Sequence, residues 1–507
     1  MLLTGAVGRL VEPLTGRVLE PQDASRRIRS RAAEYAALGL KPRDRVFIHY
    51  GNTLEFFVDL LATWQAGACA VPIDSRLTPF EVENLARSAC PTISIWDASP
   101  DHGIRQTLAG MGVRSIAKAD CTSPPTDAPA SRSEFLLDDE ALILFTSGTT
   151  GDPKGVVHTH RSLRARWMSL EAALGLDAYR RTLCLLPTHF GHGLICNALF
   201  PWLFGQDLYI LPPFRAETLT RLGELIDGHG ITFLSSVPTV WRLAIKTAKP
   251  PTLRSLRRVF CGSAPLSGSL WRSVQDWAGT TEVMNAYGIT ETGSWLAGST
   301  VPIRTPEDGF VGRAWGGVLR VLRSRDTSIS PCVANDCAAG ESGHVWVNTP
   351  ALMKGYLNRD DLTSQVVSQG WFATGDIGLL DERGYLYLRG REREEINKGG
   401  MKVYPGDVDA VLERFPSTLD VCTFAIHDEL LGEDIGVAVV MKTADDATLT
   451  ELHGWCRQHL AAHQMPRRWY IVDEIPRTSR GKVNRSQVAQ YCESKPTVPF
   501  ATLLRRP

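Results

Sequence analysis

The sequence contains no charge-free apolar stretch of about 18 residues, so nothing in it is long enough to cross a bilayer as a helix. Neither sign of charge is in excess. With 55 Lys and Arg against 55 Asp and Glu, there is no global basic field of the kind that holds nucleic acid or an anionic membrane. The 11 cysteines lack paired zinc spacing, and the opening segment interrupts its apolar residues with Arg9, Glu12 and Pro13, so no secretory leader is expected. Free thiols in a reducing cytosol, and a soluble cytoplasmic protein with no integral membrane segment, are the expectation. Internal repeats and low-complexity tracts are also missing. Two local basic runs, Arg161, Arg164 and Arg166, then Arg254, Arg257 and Arg258, have the spacing of solvated helix faces, some of which could meet the phosphates of a large anionic cosubstrate.

What is abundant is concentrated between Leu144 and His160, LFTSGTTGDPKGVVHTH. Hydroxyls at Thr146, Ser147, Thr149 and Thr150 stand among Gly148, Gly151 and Gly155, whose bare backbones let amide N–H groups approach anionic oxygens. Lys154 adds an ammonium, and Val156 onward is expected to begin a helix whose positive end also favours anions. Such a strand-to-helix turn is suited to a polyphosphate. It is not a Walker A loop, because Pro153 stands where that motif needs glycine and Gly155 follows the lysine.

A chain of 507 residues exceeds one core, so at least two lobes are expected. Strand-like runs at Arg45 to His49, Leu142 to Phe145, Leu183 to Leu186, Leu208 to Leu211, Phe233 to Ser235 and Arg258 to Cys261 alternate with helical patterns. That alternation predicts an α/β fold of parallel sheets covered by helices. The Pro- and Ser-rich Thr122 to Ser133 is expected to be a connector. After Gly312, short strands and Gly turns predict a small β-rich subdomain, with a hairpin turn at Asp381 to Gly384. Helical patterns at Gly406 to Phe415, Thr448 to His463 and Ser486 to Glu493, around a strand at Val437 to Met441, predict a small α+β lobe.

The string S-G-T-T-G-D-P-K-G, followed by Y-G-I-T-E at Tyr287 to Glu291, T-G-D at Thr374 to Asp376, G-R at Gly390 and Arg391 and P-R-T-S-R-G-K at Pro476 to Lys482, resembles the adenylate-forming superfamily. That superfamily comprises acyl-CoA synthetases, peptide-synthetase adenylation domains and beetle luciferases. The signatures occur in the family's order, and Phe47 to Asp74 resembles its amino-terminal subdomain, so the likeness covers nearly the whole chain. The resemblance implies a large domain over 1–390 with ATP and acyl sites, and a mobile C-terminal domain over 391–507, hinged near Arg393, carrying the catalytic lysine.

Carried onto matching positions, the resemblance gives each residue a role. Tyr287 would face adenine and Gly288 let the base approach. Thr290 would donate to the α-phosphate, and Glu291 would supply magnesium with a hard oxygen. Asp376 would accept from the ribose hydroxyls, with Arg391 as a further donor. Lys482 would reach the incoming carboxylate and the α-phosphate together. Gly262 and Ala264 lie in the segment between nucleotide and acyl pocket, while His189, Phe190 and His192 wall that pocket. Gly399 and Gly400 resemble the small-residue loop that admits a pantetheine arm, although an ordinary flexible turn reads equally well there.

The acyl segment departs from the family, which often has Phe then His where this chain reads His189 then Phe190. His189 and His192 are spaced like helical metal ligands, but no third ligand accompanies them, so zinc is not expected. Amino-acid-activating relatives place Asp after the corresponding Phe; Gly191 stands here, and a buried ammonium would lack its counter-ion. The expected substrate is therefore a carboxylic acid without an α-amino group, of fatty or aromatic type. The expected reaction is ATP- and magnesium-dependent formation of acyl-AMP and pyrophosphate, then acyl transfer to coenzyme A. Loading of a separate acyl carrier protein is the alternative, and a regulatory nucleotide-binding protein without turnover is a third reading.

Overall fold

The computed structural model describes residues 7–98, 102–118, 136–146, 154–213, 216–303, 305–328, 333–399, 401–429, 431–478 and 482–498. Two sheets form the large lobe. In one, the strands Arg45–His49, Cys69–Pro72, Ile93–Trp96 and Arg114–Ala117 run parallel, and Glu140–Thr146 extends them. In the other, Arg181–Cys184, Asp207–Ile210, Phe233–Ser236, Arg258–Gly262 and Val283–Ile289 are parallel. The second sheet continues antiparallel through Ser294–Gly298 and Phe310–Ala314 to Leu386–Arg391 and Trp371–Leu380. Apart from the edge strand Arg114–Ala117, the parallel strands are buried nearly throughout, which is why they read as continuous apolar runs.

One apolar core joins the two sheets, taking Val46 and Ala70 from the first and Phe233, Phe260 and Met284 from the second. The helices Leu54–Gln65 and His160–Leu174 contribute to it. Leu54–Gln65 starts where the Thr53 hydroxyl accepts the Phe56 amide, and ten of its residues are buried, as expected of a helix covered on more than one side. Its Trp64 donates to the Ala141 carbonyl at 2.6 Å, tying helix to sheet.

The small lobe is a five-stranded sheet of Ile396–Lys398, Met401–Val403, Thr418–Asp428, Gly432–Met441 and Arg468–Ile471, accompanied by the helices Pro405–Glu413, Asp446–His459 and Arg485–Glu493. It has a core of its own around Val408, Leu412, Val437 and Leu452. Arg477 Nη1 donates to Thr239 Oγ1 across the lobes at 3.0 Å, and Arg242 pairs with Glu413. No helix among the described residues is long and apolar enough to cross a membrane.

Two expectations are corrected. Lys154–Thr159 is a strand paired antiparallel with Glu140–Thr146, Thr146 opposite Lys154, and not the start of a helix. The β-branched Val156 and Val157 take the ladder opposite Leu144 and Ile143, and the helix begins only at His160, where Thr159 supplies its capping box. Arg166 does not lie on a solvated face but is wholly buried, although Arg161 and Arg164 are exposed. The connector at Thr122 to Ser133 lies outside the described residues.

Candidate active site

Thr146 and Lys154 stand opposite each other where the two strands end. Ser147, Gly148, Thr149, Thr150 and Gly151 lie between them, outside the described residues. The Lys154 ammonium sits 5.3 Å from the centre of the Tyr356 ring. Burial, with Arg393 nearby, holds its pKa below the usual lysine range, while Glu291 opposes that shift. Tyr356 donates to Glu291 Oε1 at 2.7 Å, so Lys154, Tyr356 and Glu291 form one polar group. Glu291 belongs to a tight turn, Thr290–Thr292, that closes the strand Val283–Ile289.

The same strand carries Tyr287, whose hydroxyl donates to Asp376 Oδ2. Arg391 Nε lies 2.7 Å from Asp376 Oδ1 and its Nη1 donates to the Thr374 carbonyl at 3.2 Å. Asp376 and Arg391 are direct partners on neighbouring antiparallel strands, which places both at Tyr287 from far along the chain. Burial pushes the Asp376 carboxyl up and the Arg391 guanidinium pulls it back, while burial and Asp376 both raise Tyr287 well above an ordinary phenol. Asp376 and Tyr287 are buried, whereas the Arg391 side chain is about half exposed.

Gly262 and Gly288 have structural reasons to be glycine. A Cβ on Gly262 would lie 2.3 Å from the Ala286 carbonyl oxygen, and one on Gly288 would lie 1.9 Å from that of Ser294. The second contact holds whatever occupies the cleft. Ala264 follows Ser263, whose φ of 66° turns the chain sharply after the strand Arg258–Gly262.

His189 and His192 face different partners. His189 Nε2 lies 3.3 Å from Asp74 Oδ2, whereas His192 lies at the start of a π-helix, His192–Leu199, a conformation often found at functional sites. His192 Nδ1 is 2.8 Å from Ser263 Oγ and its Nε2 is 2.6 Å from Ser235 Oγ. Burial first, then Lys482, hold its pKa at about 3, so the ring is neutral. Trp295, 1% exposed, packs against it at 5.6 Å between centroids and against Phe260 at 4.8 Å. The Lys482 ammonium lies 5.5 Å from the centre of the Phe190 ring. A lysine of the terminal loop thus reaches a ring of the large lobe 292 positions earlier in the sequence. Gly399, at φ 59°, turns between the short strands Ile396–Lys398 and Met401–Val403; Gly400 is outside the described residues.

Tyr356 and Ser235 join the site without having been singled out from the sequence, and Ser263 joins it from the segment beside Gly262 and Ala264. Tyr356 is 65 residues from Glu291, and a lone Gly-Tyr pair carries no signal of that contact. Among the described residues no group of three or more His, Cys, Asp or Glu could hold a metal by itself.

The model of the AMP-binding enzyme family matches residues 21–357, and that of its C-terminal domain matches residues 407–482. The chain is 30% identical over 478 residues to a probable CoA ligase, CCL9, of Humulus lupulus, covering 90% of this chain and 88% of the other. It is 29% identical to an oxalate–CoA ligase of Arabidopsis thaliana, covering 90% of each. Among solved structures, ATP-bound MatB from Rhodopseudomonas palustris superposes with a TM-score of 0.85 at 26% identity over 97% of each chain. The Tyr287, Asp376 and Arg391 corner, the Lys154 and Glu291 group and the Lys482 loop are therefore features of a chain that belongs to the AMP-binding enzyme family.

Proposed function

We propose that this AMP-binding enzyme is an ATP-dependent acid–coenzyme A ligase. In the first step a carboxylate oxygen bonds to the α-phosphorus of ATP and pyrophosphate leaves; in the second, the thiol sulfur bonds to the acyl carbon, AMP leaves, and the thiol proton is released. The observation that carries this reading is Lys482, brought from the small lobe to Phe190 beside His192. There it can balance the charge of two anions that must converge, the task on which adenylation chiefly depends.

In this reading the residues take the roles that the resemblance implies. Tyr287, Gly288, Gly262 and Ala264 form the nucleoside end, and Asp376 with Arg391 takes the ribose hydroxyls. Thr146, Lys154 and the intervening Ser147, Gly148, Thr149, Thr150 and Gly151 take the phosphates. Thr290 donates to the α-phosphate. Glu291 would hold magnesium: Tyr356 engages one oxygen and leaves the other for a hard cation, and a single carboxylate suits an ion held mainly by phosphates and water. When bound, that ion would neutralise charge on the departing pyrophosphate. Gly399 and Gly400 would give the thiol arm room. Residues 1–390 would form the nucleotide- and acyl-binding domain and residues 391–507 the domain that brings Lys482. Nine described cysteines are free thiols, which supports a cytoplasmic setting.

The acyl end favours a short acid without an α-amino group. A Cβ on Gly191 would meet Leu144, Ile195 and Ser294 Cβ, an apolar setting unsuited to an ammonium. Beyond His192, Trp295 and Phe260 fill the space with aromatic rings. A screen of carboxylic acids by pyrophosphate release tests this. Turnover that requires one acid and then coenzyme A supports it; acyl-AMP that accumulates until a carrier protein is added replaces the acceptor, and ATP binding without exchange for any acid rejects the reaction.

A further inference from the structure

The turn Thr290–Thr292 is gripped at three successive carbonyls by three separate parts of the chain. His158 Nε2 lies 2.8 Å from the Thr290 oxygen, the Met353 amide donates to the Glu291 oxygen at 2.7 Å, and Arg166 donates to the Thr292 oxygen from Nε at 3.1 Å and Nη2 at 2.9 Å. A carbonyl only accepts, so His158 Nε2 carries the proton. Arg166 Nη1 also donates to the Trp315 carbonyl at 2.7 Å, tying the turn to the neighbouring antiparallel strands.

Arg166 is unusual as a buried group. It is wholly inaccessible, and its hydrogen-bond partners among the described residues are the Thr292 and Trp315 carbonyls and the Thr349 hydroxyl, with no carboxylate. An unpaired buried cation costs several kcal/mol, roughly, relative to an apolar side chain of similar volume. What the guanidinium offers instead is a planar fork, two nitrogens on one carbonyl and a third on another, which no aliphatic side chain supplies. The backbone is shaped to receive it: Gly293 has a φ of 72°, and a Cβ there would lie 3.4 Å from Arg166 Cβ and Cγ. Burial lowers the Arg166 pKa to about 10 and that of His158 to about 4, so around neutral pH one is charged and the other is not.

We infer that Arg166 and His158 are positioning residues for Glu291, holding the carbonyls on either side of it so that its carboxylate meets the metal-bound nucleotide in one orientation. The last carbonyls of so short a turn have no helical partners, and without these donors the turn is free to shift. The inference rests on the proposed role of Glu291, and its test separates the two.

The variants are Arg166→Met, His158→Leu and His158→Gln, the last retaining an N–H donor. Each is measured for Mn2+ affinity in the ATP complex by electron paramagnetic resonance, for pyrophosphate exchange against Mg2+ concentration, and for the thiol step with acyl-AMP supplied. Arg166→Met and His158→Leu are expected to weaken Mn2+ binding about tenfold or more and to raise the Mg2+ requirement in parallel. The thiol step should stay within about twofold of wild type, and His158→Gln should recover most of the metal affinity. Unchanged metal affinity, or equal loss in both half-reactions, overturns the inference. If Arg166→Met does not fold, the His158 pair decides. If the wild type exchanges no pyrophosphate with any acid, the proposed reaction falls, while the Mn2+ titration still decides the positioning role.

Discussion

Around Asp376 polar groups are tied to one another, with the buried Tyr287 of the large lobe on one carboxylate oxygen and Arg391, half-exposed at the junction of the lobes, on the other. Lys482, on the small lobe, is held by Thr478, whose hydroxyl accepts its amide and whose own amide donates to its carbonyl, and it rests against an aromatic ring. The first arrangement is set before a nucleotide arrives. The second places one charge on a lobe that meets the large one through Arg477 to Thr239, Arg242 to Glu413 and Arg389 to Asp407, among others. In the proposed reading, affinity for ATP belongs to the large lobe and turnover to the small one. Binding gains from groups fixed in advance, whereas a charge needed only while bonds change gains from being removable.

The contrast extends to histidine, and the largest expected effect lies there. His49, His158, His160 and His192 are buried in the large lobe, where burial holds the first three at about 4 and His192 at about 3. The small lobe's His427, His453, His459 and His463 are not buried. For each buried imidazole the native pKa lies below the unfolded value of about 6.5, so its contribution is complete above that pH and is lost as pH falls toward 4. One such group costs about 1.4 kcal/mol per pH unit, and four together about four times that. Denaturant unfolding followed by tryptophan fluorescence from pH 7 to 4.5 should show the large lobe losing stability first. Simultaneous acid unfolding of both lobes would erase the distinction.

Next in size, Lys482→Ala should lower acyl-AMP formation on the order of a hundredfold to a thousandfold and spare the thiol step when acyl-AMP is supplied. Equal loss in both assays would remove the lysine from the first step. Asp376→Ala should do the reverse, raising the KM for ATP about tenfold or more while leaving kcat near wild type. It should also cost about 1–3 kcal/mol of stability, because the Tyr287 hydroxyl is left buried without an acceptor. An unaltered ATP requirement would detach Asp376 from the ribose. The smallest effect is expected at Gly399→Ala, where the positive φ costs about 1 kcal/mol and the new Cβ meets only the flexible end of Leu431, at 2.9 Å. A change confined to the KM for coenzyme A, by a few-fold, would sharpen the assignment; a change in the KM for ATP would contradict it.

Local chemistry in the sequence was enough to expose the strands Arg45–His49 and Arg258–Gly262, the helix Pro405–Glu413 and the hairpin after Leu380, because periodicity and turn residues act over a few positions. The composition of the loop marked Lys154 as a candidate, whereas Tyr287, Glu291, Asp376 and Lys482 became candidates through the resemblance of their motifs to a family. Tertiary structure decided the rest. Val156 and Val157 join a ladder with Leu144 and Ile143 instead of starting a helix, His189 and His192 diverge toward Asp74 and the serines, and Arg166, whose spacing suits a wet helix face, is drawn inside by the Thr292 and Trp315 carbonyls. Each of these outcomes depends on partners far away along the chain, and a linear pattern does not encode which distant carbonyl or carboxylate will be left without a donor until the sheets have packed.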